Sequence, residues 1–359
     1  MFVDRIRRIV PTSWKRAATD REFWLQAKIH LLTRPMYSGV GSILGFHRVC
    51  PKPDRSRLGF NKDLEVTPEL LEEIIRFFKA RGYEFVSLDQ VYEILKRGIQ
   101  PRKFVAFTID DGYLDNYTHA YPIFKRYDVP FAIYVTNCFP DRTAILWWYV
   151  LEEMLWERDE LEVELDHGRV RYDFSTLEKK EQVFEIISGD LTFAGSEANV
   201  KRILQGYEGH YNSHVHDLAL SWVQIVELSK DPLVTIGAHS RRHLALSTLS
   251  AVEARDEILE SKHQIEGHIG QPVDHFAYPY GGRLAAGLRE FQLVKDCQFK
   301  TATTTRYGNI FAAHQENLEC LPRIPVSGAE LGKNVRYLNL WVDGLVPCHE
   351  NGFQRVITA

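Results

Sequence analysis

The strongest constraint on this chain comes from short runs with no polar face. Phe104–Ile109 (FVAFTI) is apolar on both faces, and Phe131–Val135 (FAIYV) and residues 234–236 (VTI) read as further strands of the same pattern. As strands they must be covered on both faces, which is how parallel sheets sit inside a fold. Between them the apolar residues fall at helical spacing. Leu70, Leu71, Ile74, Ile75, Phe77 and Phe78 form one stripe, preceded by Thr67 as an N-cap and Pro68 at the first helical position, with Gly82 suited to the stop. Residues 42–49 (SILGFHRV) read as an earlier buried strand, and residues 85–88 as another, followed by a helix through about Leu95. A further helix is expected around residues 117–127. Repeated strand–helix units of this kind predict parallel strands with helices outside, an α/β fold.

The rhythm changes between residues 138 and 231. Trp147, Trp148, Tyr149 and Leu151 open a helix, and residues 161–174 read as a hairpin turning at Asp166-His167-Gly168. Two charged helices follow, near 176–188 and 196–206. The segment is read as an insertion into the α/β unit, whose pattern resumes after a helix capped by Ser221 with Gln224 three residues on.

Composition narrows the setting. The net charge of −4 gives no global case for nucleic acid as a partner. Five cysteines, an odd number without CxxC spacing, argue against a disulfide framework or a structural zinc and for a reducing compartment. No apolar stretch is long enough to span a membrane, and charges, Pro11 and Trp14-Lys15-Arg16 interrupt the early apolar runs where a secretory signal needs continuity. A cytoplasmic protein is expected. The first 40 residues form a basic helical arm, with Phe2, Val3, Ile6, Ile9 and Val10 at helical spacing among Arg5, Arg7, Arg8, Lys15 and Arg16. Two readings stay open for it: a solvated helix packed on the domain, or peripheral contact of residues 1–16 with the anionic inner face of a membrane.

Three clusters carry chemistry. In Thr108-Ile109-Asp110-Asp111-Gly112, two acids follow a buried strand directly, at the end where α/β folds place their sites. Adjacent carboxylates repel, so a cation or an arginine is needed to keep both ionised. In Gly237-Ala238-His239-Ser240-Arg241-Arg242-His243, imidazoles at i and i+4 follow a second strand. On a helical turn both can face one ion, and with one carboxylate they leave coordination positions open, as catalytic sites do. Phe276-Ala277-Tyr278-Pro279-Tyr280-Gly281 makes a rigid aromatic turn with an exposed backbone N–H. His214 and His216 fall in the insertion, where a solvated loop is the preferred reading and contact with substrate the alternative; His119, His268, His275 and His314 are read as surface or structural.

In this order the three clusters resemble the first motifs of the polysaccharide deacetylases (carbohydrate esterase family 4, the NodB-homology domain). The likeness covers residues 41–137 and 232–328, leaving the arm 1–40, the insertion 138–231 and a C-terminal tail 329–359. It implies a distorted (β/α) barrel of fewer than eight strands, with a mainly helical insertion, and one divalent metal ion, most often Zn2+. By motif position, Asp111, His239 and His243 match the metal ligands, and Asp110 the catalytic base. Tyr280, beside Pro279, matches the residue whose backbone N–H steadies the oxyanion. Two departures stand out: the third-motif arginine is replaced by Ala277, and no late Leu-x-His supplies the acid. The chain is closer to a rearranged subgroup similar to poly-N-acetylglucosamine deacetylases, in which the acid histidine leads the domain. Gly45-Phe46-His47-Arg48-Val49 fits that place, making His47 the candidate acid, and Leu321-Pro322-Arg323-Ile324-Pro325-Val326 supplies Arg323 to hold Asp110.

The resemblance therefore implies a metal-dependent hydrolase that removes the N-acetyl group of an amino sugar in surface-polysaccharide or glycolipid precursor synthesis. Its partner would be a nucleotide-linked, lipid-linked or oligosaccharide substrate. The alternatives are a glycan O-acetyl esterase, whose leaving alcohol needs less help from an acid, and a carbohydrate-binding relative without catalysis.

Overall fold

The computed structural model describes residues 34–52, 56–98, 102–165, 168–193, 197–331 and 334–358. The proposed membrane contact of residues 1–16 lies outside the described residues. Among the described residues no helix is long and apolar enough to cross a membrane.

Seven parallel strands close into a barrel: β1 (Gly41–Phe46), β2 (Phe104–Ile109), β3 (Phe131–Val135), β4 (Val234–Ala238), β5 (His275–Ala277), β6 (Thr301–Tyr307) and β7 (Leu321–Pro325). They neighbour one another in chain order, and β1 closes the ring by pairing with both β2 and β7. The two-residue strand Glu84–Phe85 pairs beside the start of β2, where β3 does not reach. The strands are apolar on both faces because both faces are covered. Phe104, Ala106, Ala132, Tyr134 and Leu321 fill the barrel interior. Val105, Phe107, Ile109, Phe131 and Ile133 point outward and pack under helices such as α1 (Pro68–Ala80) and α2 (Tyr121–Tyr127). Phe107 is the hub of the outer layer, its ring 5.3 Å from Phe124, 5.9 Å from Phe46 and 6.2 Å from Phe78. Fully burying such a side chain stabilises the fold by roughly 1.5–3 kcal/mol. Helix α1 starts where its cap predicts, the Thr67 hydroxyl accepting the Leu70 N–H at 3.2 Å.

The insertion gathers its own apolar cluster. It comprises α3 (Trp147–Glu157), a hairpin (Glu160–Leu165 with Gly168–Asp173), α4 (Leu177–Phe193), α5 (Glu197–Ile203) and α6 (Glu208–Leu218). Two bonds tie α3 to the barrel rim: the Trp148 Nε1–H donates to the Tyr113 hydroxyl at 3.1 Å, and Arg48 donates to the Tyr149 hydroxyl at 2.9 Å. One expectation is corrected here. His214 and His216 do not lie in a solvated loop but on α6, a helix that begins at Tyr207 without any side-chain cap. The C-terminal segment docks on the barrel through Asp343, which accepts both bonds from one Arg81 nitrogen at 3.1 Å.

His314 is fully buried, its Nδ1 accepting the Phe311 N–H at 2.9 Å. Desolvation pushes this imidazole down to about 4. An unfolded histidine binds its proton near 6.5, so below that pH the unfolded state gains protons that the folded state refuses. The stability advantage of the wild type over His314→Gln should therefore be full above pH 6.5 and shrink by about 3 kcal/mol as pH falls to 4. Chemical denaturation of both proteins across that range measures it; a gap independent of pH would refute the burial of a neutral ring.

Candidate active site

The site assembles at the C-terminal rim because register puts it there. β1 and β2 run in parallel with Phe46 opposite Ile109. The next residue on each is His47 and Asp110, and the Asp110 N–H donates to the Phe46 carbonyl at 2.9 Å. His47 Nε2 consequently lies 3.9 Å from Asp110 Oδ2. Directly after Asp110 the chain kinks. Asp111 takes φ 76° and Gly112 φ 92°, both in the left-handed region, and the Gly112 N–H returns to the Asp110 carbonyl at 3.0 Å. A non-glycine residue held there costs of order 1–3 kcal/mol. The kink lets two successive carboxylates serve different partners.

The histidine pair sits at the end of β4, but not on a helical turn. Ser240 (φ 60°) and His243 (φ 56°) are both left-handed, and residues 239–243 form an irregular loop. Local bonds replace the helical ladder: the His239 N–H donates to the Val135 carbonyl at 2.9 Å, and the His243 N–H to the Ser240 hydroxyl at 3.1 Å. The expected geometry is thus corrected, while the two rings still converge. His239 Nε2 and His243 Nε2 each lie 3.3 Å from Asp111 Oδ1. His239 Nδ1 is committed to the Ala277 carbonyl at 2.7 Å, which leaves Nε2 to face the centre.

These three residues fit a divalent cation. Asp111 Oδ1 is buried and makes no hydrogen bond. An orphaned carboxylate oxygen between two imidazole nitrogens is costly on its own and is satisfied by an ion between them.

Arg323 enters from β7 inside the barrel and grips Asp110 with two parallel bonds of 2.6 Å, from Nη1 to Oδ1 and from Nη2 to Oδ2. Its Nε donates to the Thr304 carbonyl and its Nη1 also to the Thr108 hydroxyl, each at 3.0 Å. Thr108 was not singled out in the sequence; its place two residues before Asp110 on an inward-facing position is the signal that could have found it. Tyr280 follows β5 in the left-handed region (φ 60°), and its ring centroid is 4.9 Å from that of His243. Its N–H meets no acceptor among the described residues, while its carbonyl takes the Thr305 hydroxyl at 2.6 Å. Pro279 accepts the Gly281 N–H at 2.7 Å, closing the turn. Gly281 is required there: at φ +55° a Cβ would come within 2.6 Å of the Thr305 nitrogen. Trp148 of the insertion also reaches the site, its ring 6.0 Å from His243. The Trp147-Trp148-Tyr149 run had been read only as a helix start.

Charge follows from these contacts. Burial alone would raise Asp110, but the Arg323 charge and its two bonds outweigh it and hold the carboxyl below its ordinary range. Burial likewise opposes Asp111, and the two imidazoles of His239 and His243 facing it keep it well below that range. Both acids are therefore ionised at neutral pH. Desolvation draws His47 below the ordinary imidazole range against the pull of Asp111 and Asp110. With 30% of its side chain exposed, His47 is the member of the set that opens to the cleft.

A seven-stranded parallel barrel whose rim joins a carboxylate, two imidazoles and an arginine-clamped second carboxylate defines a hydrolase-type centre able to hold a metal. The chain belongs to the polysaccharide deacetylase family, whose pattern it matches over residues 97–189 and 190–301. It is similar to YxkH of Bacillus subtilis, with 32% identity over 73 residues; the alignment covers 20% of this chain and 26% of that protein, so the chain spans about a quarter of this curated relative. Two solved structures share the fold. The Streptococcus pyogenes deacetylase PplD superposes with a TM-score of 0.53 at 21% identity, over 82% of this chain and 96% of that one. A de-N-acetylase from Aggregatibacter actinomycetemcomitans gives 0.53 at 15%, over 83% and 98%.

Proposed function

We propose that the chain is a metal-dependent carbohydrate deacetylase that hydrolyses the N-acetyl group of an amino sugar. The observation that carries this reading is the orphaned Asp111 Oδ1, 3.3 Å from two imidazole nitrogens and next in sequence to an aspartate clamped by a buried arginine.

Asp111, His239 and His243 would hold the ion, with Zn2+ favoured by the nitrogen-rich donor set. Bound there, it supplies Lewis acidity toward a carbonyl oxygen and lowers the pKa of water. The remaining work falls to the chain. Asp110, ionised and fixed by Arg323, accepts the proton of the attacking water at a carboxylate oxygen. The Tyr280 N–H, without an acceptor among the described residues, would steady the charge that develops on the carbonyl oxygen in the tetrahedral state. An amide nitrogen leaves only when protonated, and we assign delivery of that proton to His47, whose Nε2 lies 3.9 Å from Asp110 Oδ2. An acid so placed favours N-acetyl over O-acetyl substrates, and the de-N-acetylase activity of the Aggregatibacter neighbour supports the same choice. A cytoplasmic site of action and a nucleotide- or lipid-linked precursor as substrate complete the proposal.

Acetate release from a panel of N-acetylated sugars, sugar nucleotides and lipid-linked precursors tests it. Activity should vanish with a strong chelator and return with added Zn2+. Release that persists through chelation, or none from any N-acetylated member, would overturn the reading.

A further inference from the structure

The insertion holds a second constellation of the same type. His210 and His214 lie one turn apart on α6, and Glu153 faces them from α3. Glu153 Oε2 is 2.8 Å from His210 Nδ1 and 3.0 Å from His214 Nε2. The three ligand atoms all lie within 4.8 Å of one another, as they do at Asp111, His239 and His243.

Two features separate this cluster from an ordinary surface ion pair. Both rings converge on one carboxylate oxygen, although a single imidazolium would neutralise it and two would repel each other. Moreover, His214 Nε2 is a buried atom that makes no hydrogen bond despite its 3.0 Å approach to Oε2. His210 Nδ1 does hydrogen-bond that oxygen at 2.8 Å, so the carboxylate already has one imidazole partner and the second ring is left facing it unmatched. A buried polar atom left unmatched is costly, and a cation among the three residues would satisfy all three ligand atoms. Oxygen and nitrogen ligands about 2.0–2.1 Å from a tetrahedral Zn2+ stand roughly 3.3 Å apart, within about half an ångström of the two oxygen–nitrogen spacings here.

We infer that Glu153, His210 and His214 bind a second divalent transition-metal ion of the Zn2+ class, distinct from the one at the barrel rim. Glu153 and His210 keep 37% and 44% of their side chains exposed, which leaves the ion a water-filled fourth position and free exchange with solvent. The ion staples α3 to α6. That matters for the rim because α3 also carries Trp148, against His243, and Tyr149, whose ring is 6.0 Å from His214 and whose hydroxyl receives Arg48. From Trp148 to Glu153 is five residues, about 7.5 Å of helix rise. The second ion thus fixes the helix that walls the first site. This assignment does not rest on the deacetylase reading.

The test is metal content. The full chain, stripped and then equilibrated with Zn2+, should hold two ions by mass spectrometry of the metal. The His210→Gln/His214→Gln variant should hold one, and Asp111→Asn/His239→Gln should also hold one. Zn2+ should raise the unfolding temperature of the second variant and leave that of the first less responsive. If the histidine double variant does not fold, Glu153→Gln provides the same comparison with a conservative change. A folded His210/His214 or Glu153 variant that holds as many ions as the wild type overturns the assignment, whatever the rim site holds.

Discussion

Asp110→Asn should lower turnover by roughly 10²–10⁴-fold, the usual worth of a positioned general base. Asparagine keeps the shape and one acceptor for Arg323 but cannot take a proton from water. Asp111, His239 and His243 are untouched, so the variant should bind metal as the wild type does. Measuring metal content and acetate release on the same preparation separates a lost base from a lost ion. A metal-replete Asp110→Asn with near-normal turnover would contradict the assignment of Asp110.

The second large effect concerns stability. Arg323 and Asp110 have 3% and 2% of their side chains exposed, and each is the other's main counter-charge. Arg323→Met leaves Asp110 ionised and alone inside the barrel, which typically costs 3–5 kcal/mol, about what breaking a buried pair costs elsewhere. Arg323→Met combined with Asp110→Asn removes both charges and should recover most of that loss while remaining inactive. Urea denaturation of the four proteins gives the coupling. Additive losses in the double variant would show that the two residues do not depend on each other.

Much of this was legible in the sequence, and the rest was hidden for identifiable reasons. Strands apolar on both faces declared a parallel α/β fold, because FVAFTI and FAIYV must be covered on two sides; closure into a barrel was implied only by the family resemblance. The Asp110-Asp111 and His239–His243 pairs were visible because each follows such a strand directly. The backbone that aims them was not. A spacing of four fits a helical turn as readily as a loop, and only the left-handed Ser240 and His243 decide for the loop. The Arg323 contact joins residues 213 positions apart, and the family resemblance implies it where spacing cannot. Helix α6 escaped notice because Tyr207 provides no cap at its start, and with it went the i, i+4 relation of His210 and His214, the same spacing that had marked the first pair.

Closure of the barrel through β1 has a consequence for how the protein is made. β1 borders β7, yet roughly 280 residues of chain must be synthesised between them. Until β7 emerges from the ribosome, Asp110 has no guanidinium to face and the sheet keeps two raw edges that other chains can pair with. Competence therefore arrives all at once and late in translation. A polypeptide cut short before Arg323 would be not a weaker enzyme but an unsealed ring, exposed to proteases and to aggregation.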